Sequence, residues 1–123
     1  MGCNSNRCMN NMTKPVDGTK MTVKAIVEYF DAVYSTTTIM DFKPRKDFYC
    51  GITNNIENNL RRHDIEGYTT CVECASFDVS SEVEAKLGEQ GFDIGNANNP
   101  AGNGGANDST IVYMAFKETG FQR

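Results

Sequence analysis

The stretch Asp47-Phe-Tyr-Cys-Gly-Ile-Thr-Asn-Asn-Ile-Glu-Asn-Asn-Leu-Arg-Arg-His63 decides the fold. It opens at strand-like density with Phe48, Tyr49, Ile52 and Thr53, aromatic and β-branched residues suited to a pleated surface. Asn54-Asn55 breaks that pattern, since asparagine favours turns and helix N-caps. From Ile56 the spacing predicts a short helix with Ile56 and Leu60 on one face. A strand carrying Tyr49 and Gly51 therefore runs straight into a helix carrying Arg61, Arg62 and His63. A tyrosine, a backbone-exposing glycine, two cations and the only histidine of the chain are drawn together. Such a set can handle phosphate. It can equally be a half-buried strand residue, a bulge glycine and a solvated helix face ending in a histidine that suits a helix C-terminus.

The flanking segments supply the rest of a domain. Met21 to Tyr34 reads as a helix with Val23, Ile26, Val27, Phe30, Val33 and Tyr34 in one broad apolar stripe, capped by Thr22 or Thr19. Ser35 to Lys43 is β-branched and reads as a strand. With a turn at Pro44-Arg45-Lys46 it would form an antiparallel hairpin with Asp47–Thr53. Tyr68 to Phe77 reads as a third strand. A helix capped by Asp78 or Ser80 then turns Val83 and Leu87 inward and stops at Gly91. Gly95 to Asp108 is a Gly/Asn-rich loop, either flexible or ligand-binding; it lacks the lysine and Ser/Thr of a phosphate-binding P-loop. Ser109 to Lys117 reads as a last strand. The expected fold class is α+β, a small antiparallel sheet flanked by helices. Residues 1–20, rich in asparagine, read as a flexible arm before a single domain over 21–123.

Length and charge narrow the function classes. A chain of 123 residues is one domain with room for an ordinary core. No apolar run approaches the length of a membrane span. Polar first residues and five cysteines, an odd number, suggest free thiols in a reducing, cytoplasmic setting. Net charge is −4, which argues against a general nucleic-acid coat protein. The cations are nonetheless concentrated: Lys43, Arg45, Lys46, Arg61 and Arg62 face only Asp47 and Glu57 between positions 43 and 62. That patch is compatible with a phosphate partner.

Tyr49-Cys-Gly-Ile-Thr-Asn-Asn-Ile-Glu, continuing to Leu60 and His63, resembles the second half of the GIY-YIG nuclease signature. The resemblance spans about Thr36 to Asn99, roughly half the chain. It implies a three-stranded antiparallel sheet flanked by helices, to which the leading helix and the last strand would be additions. It also implies a Mg²⁺- or Mn²⁺-dependent endonuclease acting on DNA. Tyr49 would orient or deprotonate water, and Arg62 and His63 would serve the phosphate. Glu84, in Ser80-Ser-Glu-Val-Glu-Ala-Lys-Leu87, would hold the metal, with Glu82 as fallback. Lys43, Arg45, Lys46, Gly51, Arg61 and Asn99 would line the substrate. Small size, acidic balance and abundant asparagine would suit a phage or mobile-element protein.

Two departures from the family pattern open a second reading. Asn59 stands where the family has its catalytic arginine, and no tyrosine stands near Thr38 and Ile39, where the first signature tyrosine would fall. A one-turn shift to Arg62 moves the charge about 5 Å, enough to cost catalysis ~100-fold or more. The alternative is an inactive module of the same fold that binds nucleic acid or a protein partner. The enzyme reading requires Tyr49, Arg62 or His63, and Glu84 on one concave face. Cys71-x-x-Cys74 is a weak zinc signal, because strand residues three apart face opposite sides.

Overall fold

A computed structural model describes residues 14–63, 67–95, 108–117 and 121, apart from the side chain of residue 62. Strand β1 is Val16–Asp17, helix α1 Val23–Thr37, strand β2 Phe48–Thr53, helix α2 Ile56–His63, strand β3 Thr70–Glu73, helix α3 Phe77–Glu89 and strand β4 Ile111–Phe116; a short 3-10 turn, Arg45–Asp47, precedes β2. The class is α+β: a four-stranded mixed sheet flanked by helices. The sheet order is β1-β3-β4-β2, antiparallel except for the short parallel pair of β1 with β3.

Alternation along the strands divides the molecule into two sides. Phe48, Cys50, Ile52, Val72, Val112 and Met114 face α1 and α3, where Ile26, Phe30, Tyr34, Val83 and Leu87 complete the larger core. Tyr49, Cys71, Ile111, Tyr113 and Ala115 face the other way, packed with Ile56 and Leu60 of α2. Sequence-local signals set the helix ends. Thr22 accepts the amide of Ala25, Asn55 accepts that of Asn58, and Ser76 accepts that of Val79, each an N-cap bond. Gly91, at φ 107, takes the left-handed turn after α3 that an L side chain resists.

Three expectations are corrected. Residues 35–43 do not form a strand or a hairpin; α1 runs to Thr37 and a loop follows. Tyr34 fixes that outcome from both sides, accepting Thr38 Oγ1 at its carbonyl and donating its hydroxyl to the carbonyl of Lys43. Its ring is buried edge-on against Phe48 and Phe92, so burying it outweighs the β preference of the threonine run. The last strand is not an addition at the margin: β4 lies between β3 and β2. The sheet is mixed because Val16–Asp17 joins its edge, inside the segment read as a free arm; residues 1–13 lie outside the described residues. The opposite edge is covered by Asp93, whose amide donates to Phe48 and whose carbonyl accepts from Cys50. That covering blunts the strand's capacity to pair with another chain.

Candidate functional site

The residues that sequence reasoning singled out fall on both sides of the sheet. Tyr49 and Gly51 project toward α2, as alternation from the buried Cys50 requires. His63, at the end of α2, sits over them with its ring centroid 5.1 Å from that of Tyr49. Both are buried, Tyr49 at 2% exposure and His63 at 0%. The structure adds a residue that the sequence did not nominate: Tyr113, in register with Gly51 on the neighbouring strand. Its hydroxyl is 2.7 Å from His63 Nε2, and its ring is 4.8 Å from Tyr68 and 6.1 Å from Tyr49. The resemblance places its first tyrosine on a strand before β2, near Thr38 and Ile39; the strand that pairs with β2 instead comes from the far end of the chain. The available signal was Tyr113 itself, alone with a polar tip in the apolar run of β4.

Gly51 is explained by this neighbour. A Cβ there would come within 2.6 Å of the Tyr113 hydroxyl oxygen and 2.9 Å of Cζ. Asn59, in the place where the family has an arginine, donates its side-chain amide to the Tyr68 hydroxyl at 2.8 Å. It is a buried structural partner, not a cation. The side chain of Arg62 and the whole of Asn99 lie outside the described residues.

Glu84 is on the opposite side. It belongs to α3, whose inward residues Ser80, Val83, Glu84 and Leu87 are all buried. The spacing three, four and seven on from Ser80 marks that inner face. Glu84 is 0% exposed, and neither carboxyl oxygen has a hydrogen-bond partner among the described residues. Burial pushes its carboxyl up to about 8, because the charged form loses its water. Its field, after burial, also helps raise the Cys50 thiol. Cys50 is the Tyr49 neighbour that points to the α3 side, so β2 stands between Glu84 and Tyr49. Glu82, the fallback, is exposed on the same helix.

A hard divalent cation needs ionised oxygen ligands and usually several of them. Glu84 is a single carboxyl, fully buried on the inner face of its helix. Among the described residues, no three His, Cys, Asp or Glu side chains gather as a metal would need. Cys71 and Cys74 face opposite sides, one in each core. Burial lifts both thiols to about 12, far from reactive-thiolate behaviour.

The cations expected to line a substrate are largely engaged. Arg45 pairs with Asp31 and lies over the rings of Tyr34, 4.5 Å from its centroid, and Phe92. Lys43 bonds Asp41 at 2.7 Å, and Arg61 bonds Asn58 on its own helix. Lys46 is exposed. Beyond them the loop after α1 presents Ile39, Met40 and Phe42 at 78%, 93% and 73% exposure.

Comparisons of the chain with protein-family models, with curated proteins and with solved structures found no match. No helix among the described residues is long and apolar enough to cross a membrane.

Proposed function

We propose that the chain is a catalytically inactive module of GIY-YIG-like fold that binds a protein partner. One observation carries the first half: Glu84, on the inner face of α3, and Tyr49 lie on opposite sides of β2, and Glu84 is buried with no hydrogen-bond partner among the described residues. Phosphodiester hydrolysis by the family's chemistry needs a metal-holding carboxylate and the tyrosine to converge on one phosphate. The Asn59–Tyr68 bond adds to this, since it gives the arginine's place a structural task.

The choice of a protein over nucleic acid rests on the surface. Lys43 and Arg45 are neutralised by Asp41 and Asp31, while a backbone-binding groove needs cations free to meet phosphates. Ile39, Met40 and Phe42 are held outward by a loop that Tyr34 pins at both ends. Adjacent large apolar side chains in a pinned loop suit an apolar pocket on another protein.

The second reading, a Mg²⁺- or Mn²⁺-dependent endonuclease, is favoured by the meeting of Tyr49, His63 and Tyr113 over Gly51. Fluorescence anisotropy with labelled linear and branched duplexes tests the partner class. The protein reading expects no saturable binding at physiological salt. Tight, salt-sensitive binding lost in Lys46→Ala or Arg61→Ala would move the partner to nucleic acid.

A further inference from the structure

The face described above carries an occupant from the chain itself. The Phe121 ring stacks on the His63 imidazole at a centroid distance of 4.9 Å and an interplanar angle of 7°. It also meets the Tyr49 ring at 5.5 Å and 49°. Beneath these rings lie Tyr113, Tyr68 and Ala115. His63 is held for this role from behind, since its Nε2 shares a hydrogen with the Tyr113 hydroxyl. Tyr49, His63 and Tyr113 are buried, whereas Phe121 is only partly so. The ring of Phe121 is therefore the outer layer of an aromatic stack whose inner layers are fixed by the sheet and α2.

We propose that Tyr49 and His63 form a receptor slot for an aromatic peptide side chain, filled here in cis by Phe121. The chemistry of the occupant identifies the class. Phenylalanine brings a flat hydrocarbon ring with no polar edge, and it meets the rings of His63 and Tyr49. A nucleobase in its place would bring several edge donors and acceptors into aromatic surroundings, where each unmet group is penalised. Phe121 stands five residues beyond Phe116, the last residue of β4. So short a tether gives its ring an effective concentration on the order of millimolar. A partner peptide with an aromatic residue must therefore compete with this internal ligand, which makes the slot self-blocking. The inference deepens the protein-binding reading. It can fail alone, because neither the DNA-binding nor the cleavage measurement involves Phe121.

The test uses full-length chain, wild type and Phe121→Ala, titrated with the synthetic peptide Lys-Glu-Thr-Gly-Phe-Gln-Arg, which copies residues 117–123. Binding is read by calorimetry and by the shift of the His63 ring protons in NMR. The expected result is saturable binding to Phe121→Ala, at least tenfold weaker binding to wild type, and an upfield His63 shift. The same peptide with alanine in place of phenylalanine should be silent, and so should uridine monophosphate. Equal binding to both proteins, an unmoved His63 signal, or occupation by the nucleotide instead of the peptide would overturn the proposal. If Phe121→Ala melts below the working temperature, Phe121→Leu keeps the apolar bulk without the flat ring and carries the same comparison.

Discussion

The Tyr113 ring lies across Gly51, so close that a Cβ at position 51 would meet its hydroxyl oxygen at 2.6 Å. The two residues are in register on adjacent strands, and the hydroxyl in question is the one that reaches His63. A local backbone choice in β2 is thereby coupled to a histidine at the end of α2.

Gly51→Ala should therefore destabilise the fold by ~1–3 kcal/mol, the usual range for forcing extra volume into a packed site. The closest clash is with an oxygen that Tyr113→Phe removes, leaving the ring carbon Cζ at 2.9 Å, so the alanine should cost less, though not nothing, in that background. Urea unfolding of the two single variants and the double variant measures the coupling. Simple additivity would mean that Gly51 is needed for some other reason.

Glu84 gives the chain a pH dependence of unusual sign. Burial raises its carboxyl from an ordinary 4.5 to about 8. Between those values the folded chain keeps a proton that the unfolded chain releases, so stability falls as pH rises from about 4.5 to about 8 and then levels. At about 1.4 kcal/mol per pKa unit the loss is at most ~5 kcal/mol. Glu84→Gln should flatten this profile, and Glu84→Leu should also raise the melting temperature at pH 8 by removing an unpaired polar group. Melting curves from pH 5 to 9 decide the matter. An unchanged slope in both variants would place the titration elsewhere.

Arg45 and Lys46 are adjacent cations with different tasks. Arg45 lies over Tyr34 and Phe92 and pairs with Asp31. Arg45→Ala should cost ~1–2 kcal/mol through lost stacking and stem packing. The exposed Lys46 should be replaceable within ~0.5 kcal/mol. Chemical denaturation of the two variants gives the contrast directly, and equal effects would refute it.

Much of the fold was legible because it is written in local periodicity. The stripe from Val23 to Tyr34, the strand-to-helix switch at Asn54-Asn55 and the stop at Gly91 each need only neighbouring residues to be read. What escaped was non-local. The β-branched run after Tyr34 looks like a strand until one sees that Tyr34 holds Thr38 and Lys43. The pairing of β4 with β2 joins segments nearly sixty residues apart, and no pattern within either strand announces it. Glu84 is a different case. Its place with Ser80, Val83 and Leu87 on one helical face is readable as burial from spacing alone, while its assignment as a metal ligand rests on the resemblance.

The central proposal is that the chain does not hydrolyse DNA. The most direct measurement is cleavage of plasmid and branched DNA by the folded chain with Mg²⁺ and with Mn²⁺, wild type beside Glu84→Ala. The arrangement predicts no cutting by either protein with either metal. Metal-dependent cutting by wild type that disappears in Glu84→Ala would contradict it, and would require Glu84 to reach the Tyr49 side of the sheet in the working enzyme.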